Sequence, residues 1–533
     1  MYPHLRDEAR WVVPEVLAYQ AAARGEAPFV TMVDGPALTY AQAQDEAARV
    51  AGFLAALGVQ PGDMVAVMLP NGLDFVRMWL GLARLGAVLV ALNTDLKGAF
   101  LEHQLENAGA RLAIVDRPLL DRFAELAPRL GALKTVVTAG TGEALADFPF
   151  SLTALEGWRT AEPYGGPMPR AGDTHCVMYT SGTTGPSKGV LMPHGHAFLF
   201  GIGSIDNYAM TESDRFYICL PLFHANGLFM QLFATMIAGC DAVLRERFSA
   251  SAWISDIRRY GATVTNSLGA VTAFVVAQPP RPDDRDHHLR LVGAAPNPAA
   301  TEAVLRERFG IADVIGLYGM TEVNIPLYCE MGNPRPGTCG RLYERYFEVE
   351  IRDPQTDIPV PRGSVGEVMV RPKAAFGFMT GYHRMPDKTV EAWRNLWFHT
   401  GDAAVMGEDG YVTFVDRIKD CIRRRGENVS SYEVETAIAR LDGVEEVAAY
   451  GVPTGVEGAE DEIMLAVVPS PGAPLDPQAI ARHAARELPR YAQPRYIEIV
   501  DALPKTPTAK IQKAKLRGRG VGPGVWDREK DGV

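Results

Sequence analysis

Cysteine is scarce. The 533 residues include six, Cys176, Cys219, Cys240, Cys329, Cys339 and Cys421, with no C-x-x-C pair and no histidine spaced to complete a zinc set. A disulfide scaffold and a structural zinc site are thereby excluded, and the thiols read as buried or idle groups. Long apolar runs are missing as well. No stretch approaches the roughly 18 residues that a membrane span needs, and the start, MYPHLRDEARWVVPEV, carries charges where a secretory leader needs an apolar core. The ending, WDREKDGV, matches no peroxisomal, retention or prenylation signal, so the expected location is cytoplasmic. Positive charge is in deficit: 53 Lys and Arg against 64 Asp and Glu leave a net charge of -11. An acidic surface repels a polyanionic backbone, so nucleic acid is not an expected partner. Short repeats are absent too.

What remains is an ordinary globular composition, 47% apolar and 22% charged, in a chain several times the usual domain length. The first hundred residues alternate short apolar runs with amphipathic stretches: FVTMVD, LTYAQAQDEAARVAGFLAALGV, DMVAVMLP, DFVRMWLGLARLGAVLVAL. That rhythm predicts βαβα units and an α/β protein with largely parallel sheets. Thr39 and Gln42 form a capping box ahead of a helix bearing Val50, Phe53, Leu54 and Leu57. Near residue 400 the texture changes. AAVMGEDGYVTFV reads as a hairpin around Glu408-Asp409-Gly410, followed by the charged DRIKDCIRRRGENVS and a compact α+β unit. The expected organisation is a large domain over 1–418, a small one over 419–517, and a glycine-rich, charged tail, 518–533, that frays.

The segment YTSGTTGPSKGV, residues 179–190, holds five serine and threonine hydroxyls, three glycines and Lys188. Glycines let backbone N–H groups face a ligand, hydroxyls add donors and the lysine adds charge, a set suited to a phosphate chain. The order excludes the Walker pattern, because Lys188 follows Ser187 and precedes Gly189; on composition alone a surface hairpin is an equal reading. The whole string, however, resembles the signature loop of the adenylate-forming superfamily. PLFHANG (221–227), GLYGMTE (316–322), FHTGD (398–402), DRIKD (416–420) and PKTPTAK (504–510) resemble further motifs of that superfamily in the same order. The likeness spans residues 10 to 517 and is to the acyl-CoA synthetase branch.

The resemblance implies a function and a set of roles. An ATP-dependent ligase would activate a carboxylic acid as its adenylate with release of pyrophosphate, then form the coenzyme A thioester; the alternative is loading of a separate carrier protein. Thr180, Ser181, Gly182, Thr183, Thr184 and Gly185 would cradle phosphates with Lys188, and Gly293, Ala294 and Ala295 would border the nucleotide. Tyr318, with Gly319 and Met320, would stack on adenine, Thr321 would meet phosphate and Glu322 would hold Mg²⁺. Asp402 and Arg417 would bind ribose. Lys510, preceded here by Ala509 where the family usually has glycine, would serve adenylation. His224 would gate the acyl site and thiol tunnel, and its place after Phe223, where amino-acid-activating relatives have aspartate, argues against an α-amino acid. Lys419 would be the hinge on which the small domain turns. Gly426, Glu427 and Asn428 would line the pantetheine path, with Arg423, Arg424 and Arg425 attracting the phosphates of coenzyme A. The acid itself is expected to be modest and largely apolar, with Asn226 and Asn324 as polar exceptions in the pocket wall. RRRGENVSSYEVE and PKTPTAKIQK are closest in wording to carnitine and crotonobetaine CoA ligases. The family also suggests a homodimer.

Overall fold

The computed structural model describes residues 1–140, 147–180, 186–295, 297–417, 421–424, 427–454, 460–504, 511 and 513–531. Two large sheets carry the N-terminal part. In the first, nine strands run in the order Arg341–Leu342, Asn324–Tyr328, Asp313–Met320, Leu291–Ala295, Val264–Leu268, Arg215–Ile218, Asp241–Leu244, Pro28–Met32 and Ala37–Thr39. Its interior, from Asp313–Met320 to Pro28–Met32, is parallel and only the edges are antiparallel. In the second, eight strands run Gly381–Tyr382, Lys188–Pro193, Thr174–Thr180, Val88–Ala91, Met64–Met68, Leu112–Asp116, Thr135–Ala139 and Ser151–Ala154. It too is parallel except for the first two pairings. Strands such as Val88–Ala91 and Asp241–Leu244 are buried throughout, as expected where helices cover both faces.

Local signals set the helices. Thr39 Oγ1 accepts from the Gln42 N–H at 3.2 Å and Gln42 Oε1 accepts from the Thr39 N–H at 2.9 Å, the expected capping box. The helix so begun, Tyr40–Ala56, buries Val50, Phe53 and Leu54, with Leu57 just beyond its end. It packs on Leu73–Leu85 so closely that a Cβ at Gly81 would fall 2.2 Å from Val50 Cγ1. Gly86, at φ 79, ends the second helix in the left-handed conformation that glycine adopts without strain.

A third, antiparallel sheet joins Phe347–Arg352, Val365–Pro372, Trp397–Met406 and Trp393–Arg394, with Val412–Arg417 beside Trp397–Met406. Its last hairpin is the one read at Glu408-Asp409-Gly410. After Arg417 the next described strand is Cys421–Arg424, so Lys419 lies outside the described residues. The small α+β unit pairs Val444–Val452, Glu462–Pro469, Tyr496–Ile499 and Trp526–Asp527 in that order. Here the structure corrects one expectation. The tail does not fray along its length: Trp526–Asp527 closes an edge of the sheet, and Asp527, 7% exposed, pairs with Arg495 at 3.2 Å.

Candidate active site

Thr180 and Lys188 face each other across an antiparallel pair and bracket the signature loop; Ser181, Gly182, Thr183, Thr184 and Gly185 lie outside the described residues. The ends of that loop meet a buried carboxylate. Glu322 is 3% exposed, and its Oε1 accepts from Thr180 Oγ1 at 2.9 Å and from the Tyr382 hydroxyl at 3.0 Å. Above the Tyr382 ring, 4.1 Å from its centroid, stands the Lys188 ammonium, a cation–π distance. Hydroxyls, an ammonium and one carboxylate thus converge where two sheets meet. The donor set fits Mg²⁺: a hard cation takes one or two protein carboxylates and completes its shell with phosphate oxygens and water. Among the described residues no group of three or more His, Cys, Asp or Glu forms a cage of its own.

Why the chain presents Glu322 here is local. A Cβ at Gly319 would lie 2.2 Å from the Asn324 carbonyl oxygen, so only glycine lets Asp313–Met320 fold back on Asn324–Tyr328. Asn324 closes the turn at φ 68 and donates to the His196 carbonyl at 3.0 Å. The His196 ring lies between the carbonyls of Gly377, 2.7 Å from Nδ1, and Thr321, 2.8 Å from Nε2, which fixes the backbone immediately before Glu322. Burial pushes this imidazole down to about 4, against the pull of those carbonyls and of Glu322.

Tyr318 donates to Asp402 Oδ2 at 2.8 Å, both nearly buried, so the aromatic and ribose motifs share one wall. Asp402 stands opposite Arg417 in strand register; the Arg417 side chain is outside the described residues. Met320 is partly buried against the main core. Of the three residues expected to border the nucleotide, Gly293 faces Tyr208 and Asn266, and Ala295 pairs with Leu268 at the strand end. The Ala294 methyl is buried with Leu305 and Phe309 in the apolar layer, and its backbone is paired in register with Ser267 on one side and Gly316 on the other.

The small unit reaches the same cleft. His224 Nε2 lies 2.8 Å from Glu427 Oε1. Burial lowers the proton affinity of this imidazole, but the Glu427 carboxylate more than reverses that and holds it above the ordinary range. On the facing wall the Ser187 N–H donates to the Glu433 carboxylate, and His103 Nε2 is 2.8 Å from the Ser187 carbonyl. Burial pushes Glu433 up to about 7, with the Ser187 hydrogen bonds opposing. Phe223, His224, Glu427, Glu433, Ser187 and Tyr491 border one cleft. Asn428 pairs in register with Arg423 across the hairpin; Gly426, Arg425 and Lys510 lie outside the described residues. Arg424 is not a coenzyme ligand. It is 1% exposed, pairs with Glu462 at 2.6 Å and donates to the Tyr491 and Gln493 carbonyls, so it is a buried strut of the small unit.

Sequence reasoning missed Tyr382, His196 and Glu433. Tyr382 sits in a two-residue strand, Gly381–Tyr382, too short for any periodicity; its only local sign is the Gly-Tyr pair shortly before Pro386. Glu433 is one acid in a charged run, and nothing local says that it meets Ser187.

The AMP-binding enzyme family model matches residues 17–383, and that of the AMP-binding enzyme C-terminal domain matches residues 433–510. Sulfoacetate–CoA ligase of Cupriavidus necator is 32% identical over 94% of this chain and 96% of its own length. Crotonobetaine/carnitine–CoA ligase of Salmonella heidelberg is 30% identical over 90% and 93%, and mouse long-chain fatty acid transport protein 1 is 32% identical over 95% and 82%. Among solved structures, an anthranilate CoA ligase in complex with anthranoyl-AMP superposes with a TM-score of 0.72 at 27% identity, covering 95% of this chain and 97% of that one. With the motif residues gathered on one cleft and both family models matched in order, the chain belongs to the AMP-binding enzyme family.

Proposed function

We propose that this chain is an ATP-dependent acyl-CoA ligase. The acid's carboxylate attacks the α-phosphorus of ATP and pyrophosphate leaves; the thiol of coenzyme A then attacks the acyl carbonyl and AMP leaves. The observation that carries this reading is the convergence of Thr180, Tyr382 and Lys188 around the buried Glu322, beside the Tyr318–Asp402 pair. Such chemistry asks for alignment and neutralisation of phosphate charge rather than for a protein nucleophile. Glu322 would hold Mg²⁺, whose charge, when bound, offsets that of the phosphates. Thr180 and Lys188 position phosphate, Tyr318 presents its ring to the adenine, and Asp402 with Arg417 takes the ribose hydroxyls. Lys510 serves the first step from the small unit, taken to begin at Lys419. His224 and Glu427 stand at the thiol entrance. Their contact, with that of Glu433 and Ser187, suits the second step.

Free coenzyme A is preferred over a carrier protein because relatives aligned along nearly the whole chain are CoA ligases. Among the described residues no helix is long and apolar enough to cross a membrane; the same reading puts the enzyme in the cytoplasm and, on family likeness, in a homodimer, which light scattering tests. The deciding experiment measures pyrophosphate release with Mg-ATP over a panel of acids, with and without coenzyme A. Acid-dependent release that turns over only with coenzyme A supports the ligase; release indifferent to it points to a carrier, and none at all refutes both. Lys510→Ala lowers adenylation by roughly 10² while sparing thioester formation from supplied acyl-adenylate.

A further inference from the structure

Asp402 stands on a break in its own strand. Along Trp397–Met406, His399 pairs with Met369 and Ala403 with Glu367, so Val368 alone faces the three residues Thr400, Gly401 and Asp402. Such a bulge lifts residues out of the ladder and re-aims their side chains. It also strips backbone groups of their strand partners, and buried groups of that kind need others. Two side chains supply them. Thr400 Oγ1 donates to the Val368 carbonyl at 2.7 Å and accepts from the Asp402 N–H at 3.1 Å. Glu367 Oε1 accepts from the Gly401 N–H at 2.8 Å. Gly401 itself is at φ 73, and a Cβ there would meet nothing within 4 Å, so glycine serves the turn and not the packing.

The other end of the Glu367 carboxylate is held as well: Oε2 lies 3.2 Å from His399 Nδ1, the nitrogen that Arg394 reaches at 2.6 Å. Glu367, Thr400 and Asp402 are all buried, and a carboxylate acceptor is a stronger tether for a backbone N–H than a neutral one. The backbone leading into Asp402 is thus clamped by Glu367 and Thr400, while Asp402 Oδ2 receives the Tyr318 hydroxyl. Resting on the ligase reading above, in which Asp402 takes the ribose hydroxyls, we infer that Glu367 is a positioning residue: through the Gly401 N–H it holds the bulge that aims Asp402, with Thr400 as the second support, and so sets how strongly the enzyme demands an intact ribose. Its part is played through the backbone, not by contact with the nucleotide. A shift of about 1 Å in a group that orients a substrate can cost roughly 10²-fold, so a support of this kind is expected to show in the kinetics.

The test compares ATP with its 2′,3′-dideoxy analogue in acid-dependent pyrophosphate release by the full-length enzyme, and reads the ratio of the two kcat/KM values. Both nucleotides meet the same enzyme, so the ratio does not depend on how much of a variant is folded, and a loss of stability alone leaves it unmoved. The wild type is expected to favour ATP by at least about 10²-fold, since each bond from a hydroxyl to a carboxylate is worth roughly tenfold or more. Glu367→Met should bring the ratio below about tenfold, chiefly through a higher KM for ATP. Glu367→Gln, which keeps an acceptor for the Gly401 N–H, should retain most of it. Thr400→Val, close in shape, removes the acceptor of the Asp402 N–H and should lower the ratio likewise, which carries the test if Glu367→Met does not fold. An undiminished ratio in Glu367→Met, or in Thr400→Val where the first variant cannot be made, overturns the inference; so does a Glu367→Gln ratio as low as that of Glu367→Met. Asp402→Ala separates this from the reading it rests on: if that variant keeps the full preference for ATP, the ribose role of Asp402 is what has failed, and the inference falls with it.

Discussion

Tyr382 does two things with one side chain: its hydroxyl donates to Glu322 and its ring supports the Lys188 ammonium. The two can be separated. Tyr382→Phe keeps the ring and removes a hydrogen bond to a buried carboxylate, a loss of about 1.5–3 kcal/mol. We expect the melting temperature to fall by several degrees and the KM for Mg-ATP to rise at least roughly tenfold; an unaltered magnesium dependence would show that Glu322 does not need the hydroxyl. Arg424 makes the opposite case. Since it is a strut, Arg424→Met leaves the buried Glu462 with only the more distant Arg495, at 4.0 Å, and should cost the small unit about 2–4 kcal/mol in denaturant unfolding. A variant of normal stability with weakened coenzyme A binding would restore the ligand role that its sequence neighbourhood suggested.

Two titratable contacts hold the small unit's hairpin and first helix against the cleft, and both depend on pH in the same direction. Glu433, pushed up to about 7 by burial, favours its protonated form when docked, so the docked arrangement is unpenalised at low pH and weakens as pH rises toward and through 7. His224, held above the ordinary range by Glu427, contributes fully below its undocked pKa and loses that contribution as pH rises through the docked value. Energy transfer between dyes on the two parts should therefore report more docking at pH 6 than at pH 8. Glu433→Gln should shrink the dependence to the share of His224 and Glu427; a flat profile in the wild type would mean that neither contact governs docking. Elements of this kind were unequally legible. The Thr39–Gln42 cap and the Glu408-Asp409-Gly410 hairpin are written within a few residues, so local pattern suffices. Gly381–Tyr382 and Trp526–Asp527 are two residues each and exist only because distant strands offer an edge. No local period can announce them.

For the whole molecule the same distinction separates what a sequence declares from what it implies. The motifs that carry the family resemblance were legible because loop chemistry and turn geometry compress into short strings, as at Gly319 against the Asn324 carbonyl. The donors to Glu322 were not, because Thr180 and Tyr382 reach it from segments 142 and 60 residues away. Long separations also shape how the chain is built. The first strand, Pro28–Met32, finds its parallel partner only in Asp241–Leu244, with Val30 against Ala242. A fragment ending at residue 210 should accordingly show hydrogen-exchange protection in Met64–Met68 and Val88–Ala91 but little at Phe29 and Val30; full protection there would mean that the hairpin with Ala37–Thr39 is stable alone. During synthesis the wait is long: at cellular rates a ribosome takes roughly ten to forty seconds to cover the intervening stretch. Through that interval Phe29 and Val30, fully buried in the finished enzyme, have the Ala37–Thr39 side of the hairpin and Tyr40 but not the strand that completes their cover, which makes this hairpin a natural client for nascent-chain chaperones and a segment sensitive to translational pausing.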